Sequence, residues 1–400
     1  MNIAVFHNLP SGGGKRALYE QVRRLSEKHT IDVYTLSSAD HDFGDLRPFC
    51  REHRVYSYRP GRMYRRPIGR LNQGVRTADL LRLNRLQKAI AYDVDAGGYD
   101  VVLVHSCQFM TAPALLAHVL CPSAYYCHEP PRMLYEPTIV RSHNVIGLGQ
   151  RLVNLVDPLP GLYRRTLGRL DRLSTCSANM VMVNSHYSRE TFYRVYGTYA
   201  VVATLGVETE LFRPMNLARE DYVLSVGALN PRKGYEFLIH SLAQIAGADR
   251  PELRIVCNSE ELGERAYLQG LAAGLGVSVT IYTMVSDTDL VSLYNRALLT
   301  IYAPVMEPFG FVPLESMACG TPVLGVREAG VRESVSDGVT GVLVDRDAKS
   351  YATELWSLLD DSDRYSRLAE ACRPYVVENW SWDASVARLE TLLELTAGRP

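Results

Sequence analysis

Apolar runs alternate with amphipathic stretches along the whole chain. Asn2-Ile3-Ala4-Val5-Phe6 leads into the glycine run Gly12-Gly13-Gly14, and Tyr222-Val223-Leu224-Ser225-Val226 leads to Gly227 and then Lys233-Gly234. Each pattern predicts a buried strand feeding a loop and a helix. In the first half a helix from Lys15 to Glu27 follows, then strands at Ile31–Leu36, Asp100–His105, Ser123–His128 and Met180–Asn184. The second half predicts strands at Tyr222–Val226, Leu253–Cys257, Val277–Tyr282, Leu299–Ala303, Val323–Val326 and Gly341–Val344, with helices over 235–246, 261–274, 287–297 and 311–319. Short apolar runs separated by helices imply parallel sheets covered on both faces. The fold class expected is α/β, with two doubly wound, Rossmann-like domains.

Four hundred residues exceed what one core usually holds. The boundary falls near residue 204, where Val201–Thr204 ends a strand, so the expected domains are 1–204 and 205–380, followed by a terminal helix within 381–400. Two doubly wound domains side by side would bring the carboxyl ends of both sheets to one central cleft, where ligands of open α/β sheets bind.

Charge separates the halves. Residues 1–205 hold 26 Lys+Arg against 16 Asp+Glu, and residues 206–400 hold 17 against 28. Between Arg47 and Lys88 stand twelve basic residues against two acidic ones, and a second basic stretch runs from Arg141 to Arg172. Such a face suits anionic lipid, nucleic acid or an acidic glycan. A solvated arginine-rich surface accounts for it equally well. Anionic membrane is the partner expected here, and nucleic acid is not. Neither a run of 18 apolar residues nor a signal-peptide pattern is present, and eight scattered cysteines show no zinc spacing. A cytoplasmic protein, peripheral at the inner membrane face, is expected.

The densest chemistry lies in MEPFGFVPLESMACGTPV, residues 306–323. Ala297–Pro304 predicts a short buried strand, so Glu307 sits just past a strand's carboxyl end. Apolar residues at helical spacing from Phe311 to Cys319, with Gly320 and Pro322 as a stop, predict a helix entered at Gly310. A helix N-terminus offers unpaired N–H groups and a positive dipole end, and a glycine there lets a diphosphate approach the backbone. Glu315, about one turn in, is placed to accept two hydroxyl hydrogen bonds from a vicinal diol, and Glu307 faces a second polar group. A first-turn glutamate complementing the dipole and a solvated loop glutamate remain the plain structural account.

Glu307-Pro-Phe-Gly-Phe-Val-Pro-Leu-Glu315 resembles the E-x7-E signature of retaining GT-B glycosyltransferases, the family labelled glycosyl transferases group 1, and VGALNPRKG at 226–234 resembles a second motif of that family. The resemblance implies the GT-B layout, a terminal helix from Trp382 to Thr396 crossing back to the first domain, and sugar transfer from a nucleoside diphosphate donor to a glycan or lipid-linked acceptor. It implies no cofactor and no metal. Lys233 is then the cation for a β-phosphate oxygen, and Gly227, Arg232, Phe309, Gly310 and Phe311 line the donor with it. Glu307 accepts a sugar hydroxyl and Glu315 clamps the ribose. His128 stands at a strand end near the donor sugar.

By the same resemblance, the run Gly12-Gly13-Gly14 is expected to line the acceptor side and touch the donor phosphate; His105 and Asn184, at strand ends, either direct polar groups into the same cleft or simply cap the helices that follow. One departure stands out: where the family carries an arginine after the first glycine of its upstream motif, this chain has Ala228. Arg232 is the expected substitute. Asp93-Val94-Asp95 is formally a D-x-D metal motif, but its setting is read as a polar connector. Two alternatives stay open: an epimerase or phosphorylase on the same fold, and a non-catalytic nucleotide-sugar-binding protein.

Overall fold

The computed structural model describes residues 1–65, 68–137, 139, 141 and 157–398. Two compact units emerge. One comprises Met1–Thr138, Ser142–Thr204 and Asp383–Pro400; the other comprises Ile139–Arg141 and Leu205–Trp382.

The first unit carries a seven-stranded parallel sheet in the order β3-β2-β1-β4-β5-β6-β7. Its strands are β1 (Asn2–Asn8), β2 (Thr30–Leu36), β3 (Glu52–Tyr56), β4 (Val101–Cys107), β5 (Ser123–Cys127), β6 (Met180–Val183) and β7 (Val201–Val202). The central strands are apolar on both faces because helices cover both, with Phe6, Tyr34, Val104 and Tyr125 fully buried. Strand β3, reading Glu-His-Arg-Val-Tyr, is an edge strand that no apolar run announces. Charged side chains are tolerated there because one side of the ladder faces solvent.

The second unit repeats the plan with six parallel strands in the order β10-β9-β8-β11-β12-β13. These are β8 (Tyr222–Val226), β9 (Glu252–Cys257), β10 (Val279–Thr283), β11 (Leu299–Tyr302), β12 (Val323–Val326) and β13 (Gly341–Val344). Strand order reverses between β1 and β4 in one sheet and between β8 and β11 in the other. Loops leaving the carboxyl ends of those strands flank the crevice where such sheets take ligands.

The terminal helix Trp382–Thr396 packs on the first unit. Arg388 donates to the Val202 carbonyl at 2.6 Å, Ser385 to the Thr204 carbonyl at 2.6 Å, and Glu390 pairs with Lys28 at 3.0 Å. Among the described residues no helix is long and apolar enough to cross a membrane.

Two sequence expectations need correction. Asp93-Val94-Asp95 is no connector: it closes the helix Asn72–Asp95, with Val94 fully buried. Asp93 accepts from the Tyr56 hydroxyl at 2.7 Å, and Asp95 accepts from the Leu120 and Cys121 N–H groups at 2.9 Å. Arg141, first of the second basic stretch, is only 6% exposed. It grips Glu264 and Glu236 and lies 4.6 Å over the Tyr267 ring.

Candidate active site

In the second unit, β8 runs into Gly227 at φ 150, a backbone state that L side chains rarely adopt. A Cβ there would also press on the Lys233 side chain at 3.2 Å and the Tyr235 hydroxyl at 3.3 Å. Asn230 caps the short turn Pro231–Lys233 by accepting from the Arg232 N–H at 3.0 Å. Gly234 then turns at φ 72, where a Cβ would sit 1.9 Å from the Ala303 carbonyl oxygen. The bare backbone at Gly234 thus lets the Lys233 loop close against the end of β11.

Beyond β11 the chain turns through Met306 at φ 55, a strained conformation for a non-glycine residue. Glu307 follows, and its Oε2 accepts from Lys233 Nζ at 2.8 Å. The pair keeps 22% and 19% exposure, so solvent and ligands reach it. Gly310, at φ 92, opens the helix Phe311–Ala318 with no side-chain cap. Phe309 is 5% exposed, packed edge-on against Phe311 at 5.1 Å and Trp380 at 5.5 Å. As a side chain it therefore anchors the loop rather than lining a donor, which corrects its expected role; Phe311 is half-buried.

Glu315, one turn in, is deeper than its role as an open diol clamp implied. It is 5% exposed, and its Oε2 accepts from the Tyr294 hydroxyl at 2.9 Å. Burial first, and then the Glu315 charge, pushes the Tyr294 phenol well above its usual range, so it stays protonated as the donor. Arg232 contributes backbone here, its carbonyl accepting from the Val305 N–H at 2.7 Å.

In the first unit, Gly12 at φ 136 precedes the helix Gly13–Leu25, which also lacks a side-chain cap. Gly14 lies against His128, where a Cβ would be 3.5 Å from Nε2. The His128 ring sits 5.1 Å from the Tyr126 ring, and burial lowers its pKa to about 4. It is thus neutral near pH 7, a hydrogen-bonding group and not an acid.

Two expectations about this unit fail. His105 offers nothing to a cleft: it is fully buried, stacks on Tyr126 at 5.3 Å, and brings Nδ1 to 3.3 Å from His128 Nε2. Asn184 is 4% exposed, donates to the His128 carbonyl at 3.4 Å and accepts from the Ser188 hydroxyl at 2.7 Å. Helix N-capping falls to its neighbour Ser185. Both residues support His128 from behind.

Comparison with known proteins follows this division of the molecule. Residues 11–211, half of the chain, match the model of Glycosyltransferase Family 4, and residues 208–374 match that of Glycosyl transferases group 1. The chain belongs to glycosyltransferase family 4. Among curated relatives, it is similar to a D-inositol 3-phosphate glycosyltransferase of Thermobispora bispora, 35% identical over 209 residues, covering 47% of this chain and 48% of the relative. It is also similar to a GDP-mannose-dependent alpha-(1-6)-phosphatidylinositol monomannoside mannosyltransferase of Mycolicibacterium smegmatis, 32% identical over 245 residues, covering 54% and 62%. The chain spans about half the length of the curated relatives it matches.

Two solved structures match almost end to end. Sucrose-phosphate synthase from Thermosynechococcus elongatus superposes with TM-score 0.73 at 20% identity, covering 98% of both chains. HepE of Anabaena, solved with UDP and glucose, gives 0.70 at 18%, covering 98% of this chain and 99% of that one. These likenesses establish the two-domain GT-B fold of this family 4 member.

Sequence reasoning missed one feature of the family 4 chain. Lys15, in the first turn after the glycine run, is 1% exposed, with Nζ 3.5 Å from Nε2 of the fully buried His7. Burial lowers Lys15 to about 8, against opposing pulls from Asp40 and Asp45, and lowers His7 well below its usual value. The predicted strand Asp100–His105 placed His105 in the sheet, but His7 lies past the predicted end of the first strand, and a lysine beside glycines reads as surface. Only the packing of β1, β4 and the glycine loop shows it enclosed.

Proposed function

We propose that this chain moves a sugar from a nucleoside diphosphate sugar to a hydroxyl of a glycan or lipid-linked acceptor, with retention at the anomeric carbon and without a metal. The observation that carries the proposal is the partly exposed Lys233–Glu307 pair beside the uncapped helix entered at Gly310. Diphosphate charge is what such a place stabilises, through an ammonium and free helix N–H groups. As the anomeric carbon–phosphate oxygen bond breaks, charge grows on the leaving diphosphate and Lys233 shifts toward it from Glu307. Glu307 is released to accept a sugar hydroxyl. The bond from the acceptor oxygen forms on the same face, and the acceptor proton passes to the leaving phosphate oxygen. Glu315, exchanging the Tyr294 hydroxyl for a ribose diol, holds the nucleoside.

His128, neutral and braced by His105, serves as hydrogen-bond partner to the donor sugar. Arg232 stands in for the arginine replaced by Ala228. Eight free cysteines support a reducing compartment and hence the cytoplasm. The Ala228 departure favours one second reading, a nucleotide-sugar-binding protein without turnover.

A thermal-shift panel of UDP, GDP, ADP, dTDP and their common sugars, with wild type, Glu315→Gln and Glu315→Ala, tests the donor assignment. A shift for one base that both variants lose supports it, and no shift with any nucleotide refutes it. Donor binding without product over a panel of acceptors would favour the second reading.

A further inference from the structure

Residues 53–78 contain seven arginines and no carboxylate. The acidic residues bracketing this run are already engaged. Glu52 pairs with Arg54 at 2.5 Å, while Asp79 pairs with Arg82 and accepts from the Gly61 N–H at 3.0 Å. Arg59, Arg62, Arg65, Arg70 and Arg76 are all exposed. Interleaved with them, Met63, Tyr64, Ile68 and Leu71 are 41%, 48%, 48% and 45% exposed. Single exposed apolar residues are ordinary, but four within nine positions of a carboxylate-free segment are not.

Tyr64 and Asn72 are tied to each other. Tyr64 donates its N–H to Asn72 Oδ1 at 2.7 Å, and Asn72 Nδ2 returns a bond to the Tyr64 carbonyl at 3.0 Å. This clamp holds Tyr64 on the first turn of the helix Asn72–Asp95. Gly74, in that turn, faces Leu159 of the helix Pro158–Ser177, whose Cδ2 would be 3.8 Å from a Cβ at Gly74. The same start of that second helix carries Leu162, 50% exposed, and the exposed Arg164 and Arg165. Both helices begin where strands of the first sheet end, so the patch shares that end of the unit with the glycine loop and His128.

We propose that this surface docks on an anionic bilayer, with Met63, Ile68, Leu71 and Leu162 entering the acyl boundary and the arginines meeting lipid phosphates. The combination decides the partner. Arginines alone would serve a nucleic acid equally, but aliphatic side chains gain nothing from a phosphate backbone and only one ring, Tyr64, is offered for base stacking. An interfacial segment uses both kinds of residue. Each arginine near an anionic surface contributes about fivefold in partition, so several together bind measurably and lose strength in salt. A lipid-linked acceptor would then arrive at the end of the unit that carries His128.

Co-flotation of the full chain tests this, using phosphatidylcholine vesicles with and without phosphatidylglycerol. Two triple variants are compared, Arg62→Glu/Arg65→Glu/Arg70→Glu and Met63→Ser/Ile68→Ser/Leu71→Ser, each with unchanged circular dichroism and melting temperature. Binding that requires phosphatidylglycerol, is abolished by the charge variant and falls roughly tenfold in the serine variant is expected. Absence of wild-type flotation overturns the proposal, as does binding that both variants retain. Capture of single-stranded RNA by a wild type that ignores vesicles overturns it in favour of nucleic acid. Flotation does not depend on donor chemistry, so this proposal and the donor assignment fail separately.

Discussion

The two units share a parallel-sheet plan, yet they treat the lysine that follows the first strand's glycine-containing loop in opposite ways. In the second unit Lys233 stands partly in solvent and bonds a carboxylate, Glu307, at 2.8 Å. A paired, accessible ammonium can trade its partner for a phosphate at little desolvation cost. In the first unit Lys15 is enclosed, and its amine faces an imidazole at 3.5 Å. The Leu9 N–H reaches His7 Nδ1 at 3.4 Å, which leaves the neutral ring's proton on Nε2, toward Lys15. Such a contact favours the uncharged amine. One scaffold thus supports a cation kept ready for exchange and a lysine whose charge the fold opposes.

Three changes probe that contrast. Lys233→Met should give the largest effect, lowering kcat by about 10²–10³-fold with little change in melting temperature, because on the proposed mechanism it removes the cation that offsets charge on the leaving diphosphate. Steady-state kinetics beside calorimetry would show this, and an equal loss of stability would instead mark the pair as structural.

Lys15→Met should act in the opposite sense, raising stability at pH 7 by about 2 kcal/mol as the buried charge disappears. The sign of the pH dependence follows from the folded values. Lys15 is lowered from 10.5 to about 8, so wild-type stability should climb as pH rises between them, and the methionine variant should lose that rise. His7, His105 and His128 also have folded values below 6.5. Their contribution is complete above pH 6.5 and fades as pH falls toward about 4, the value of His128. Denaturant titrations across pH measure both limbs.

Tyr294→Phe should have the smallest effect. It deletes one hydrogen bond to Glu315, worth about 1 kcal/mol, and should change the donor KM only a few-fold. A loss as large as that of Lys233→Met would show that Tyr294 orients Glu315 and does more than occupy it.

Most of the framework was legible along the chain. The run at β8 and its approach to Gly227 needed only an apolar segment and a glycine, and the helix Phe311–Ala318 was bounded by Gly310 and Gly320. Strand β3 escaped because an edge position relaxes the demand for apolar residues. The terminal aspartates of Asn72–Asp95 read as a connector because their polarity hid the buried Val94.

Side-chain depth was the harder quantity. His105, Asn184 and Phe309 were each placed at the right strand end or loop, but all three point into protein.

Local order therefore set the kind and sequence of the elements, since apolar period, glycine and proline act over a few residues. It also set the identity of the glutamates and lysine on the loops that follow β8 and β11. What Lys233 and Glu307 bond to, how deeply Glu315 lies and whether Lys15 carries a charge were decided by contacts between segments far apart in the chain. Burial and electrostatic environment belong to the packed arrangement, and no single stretch of residues carries them.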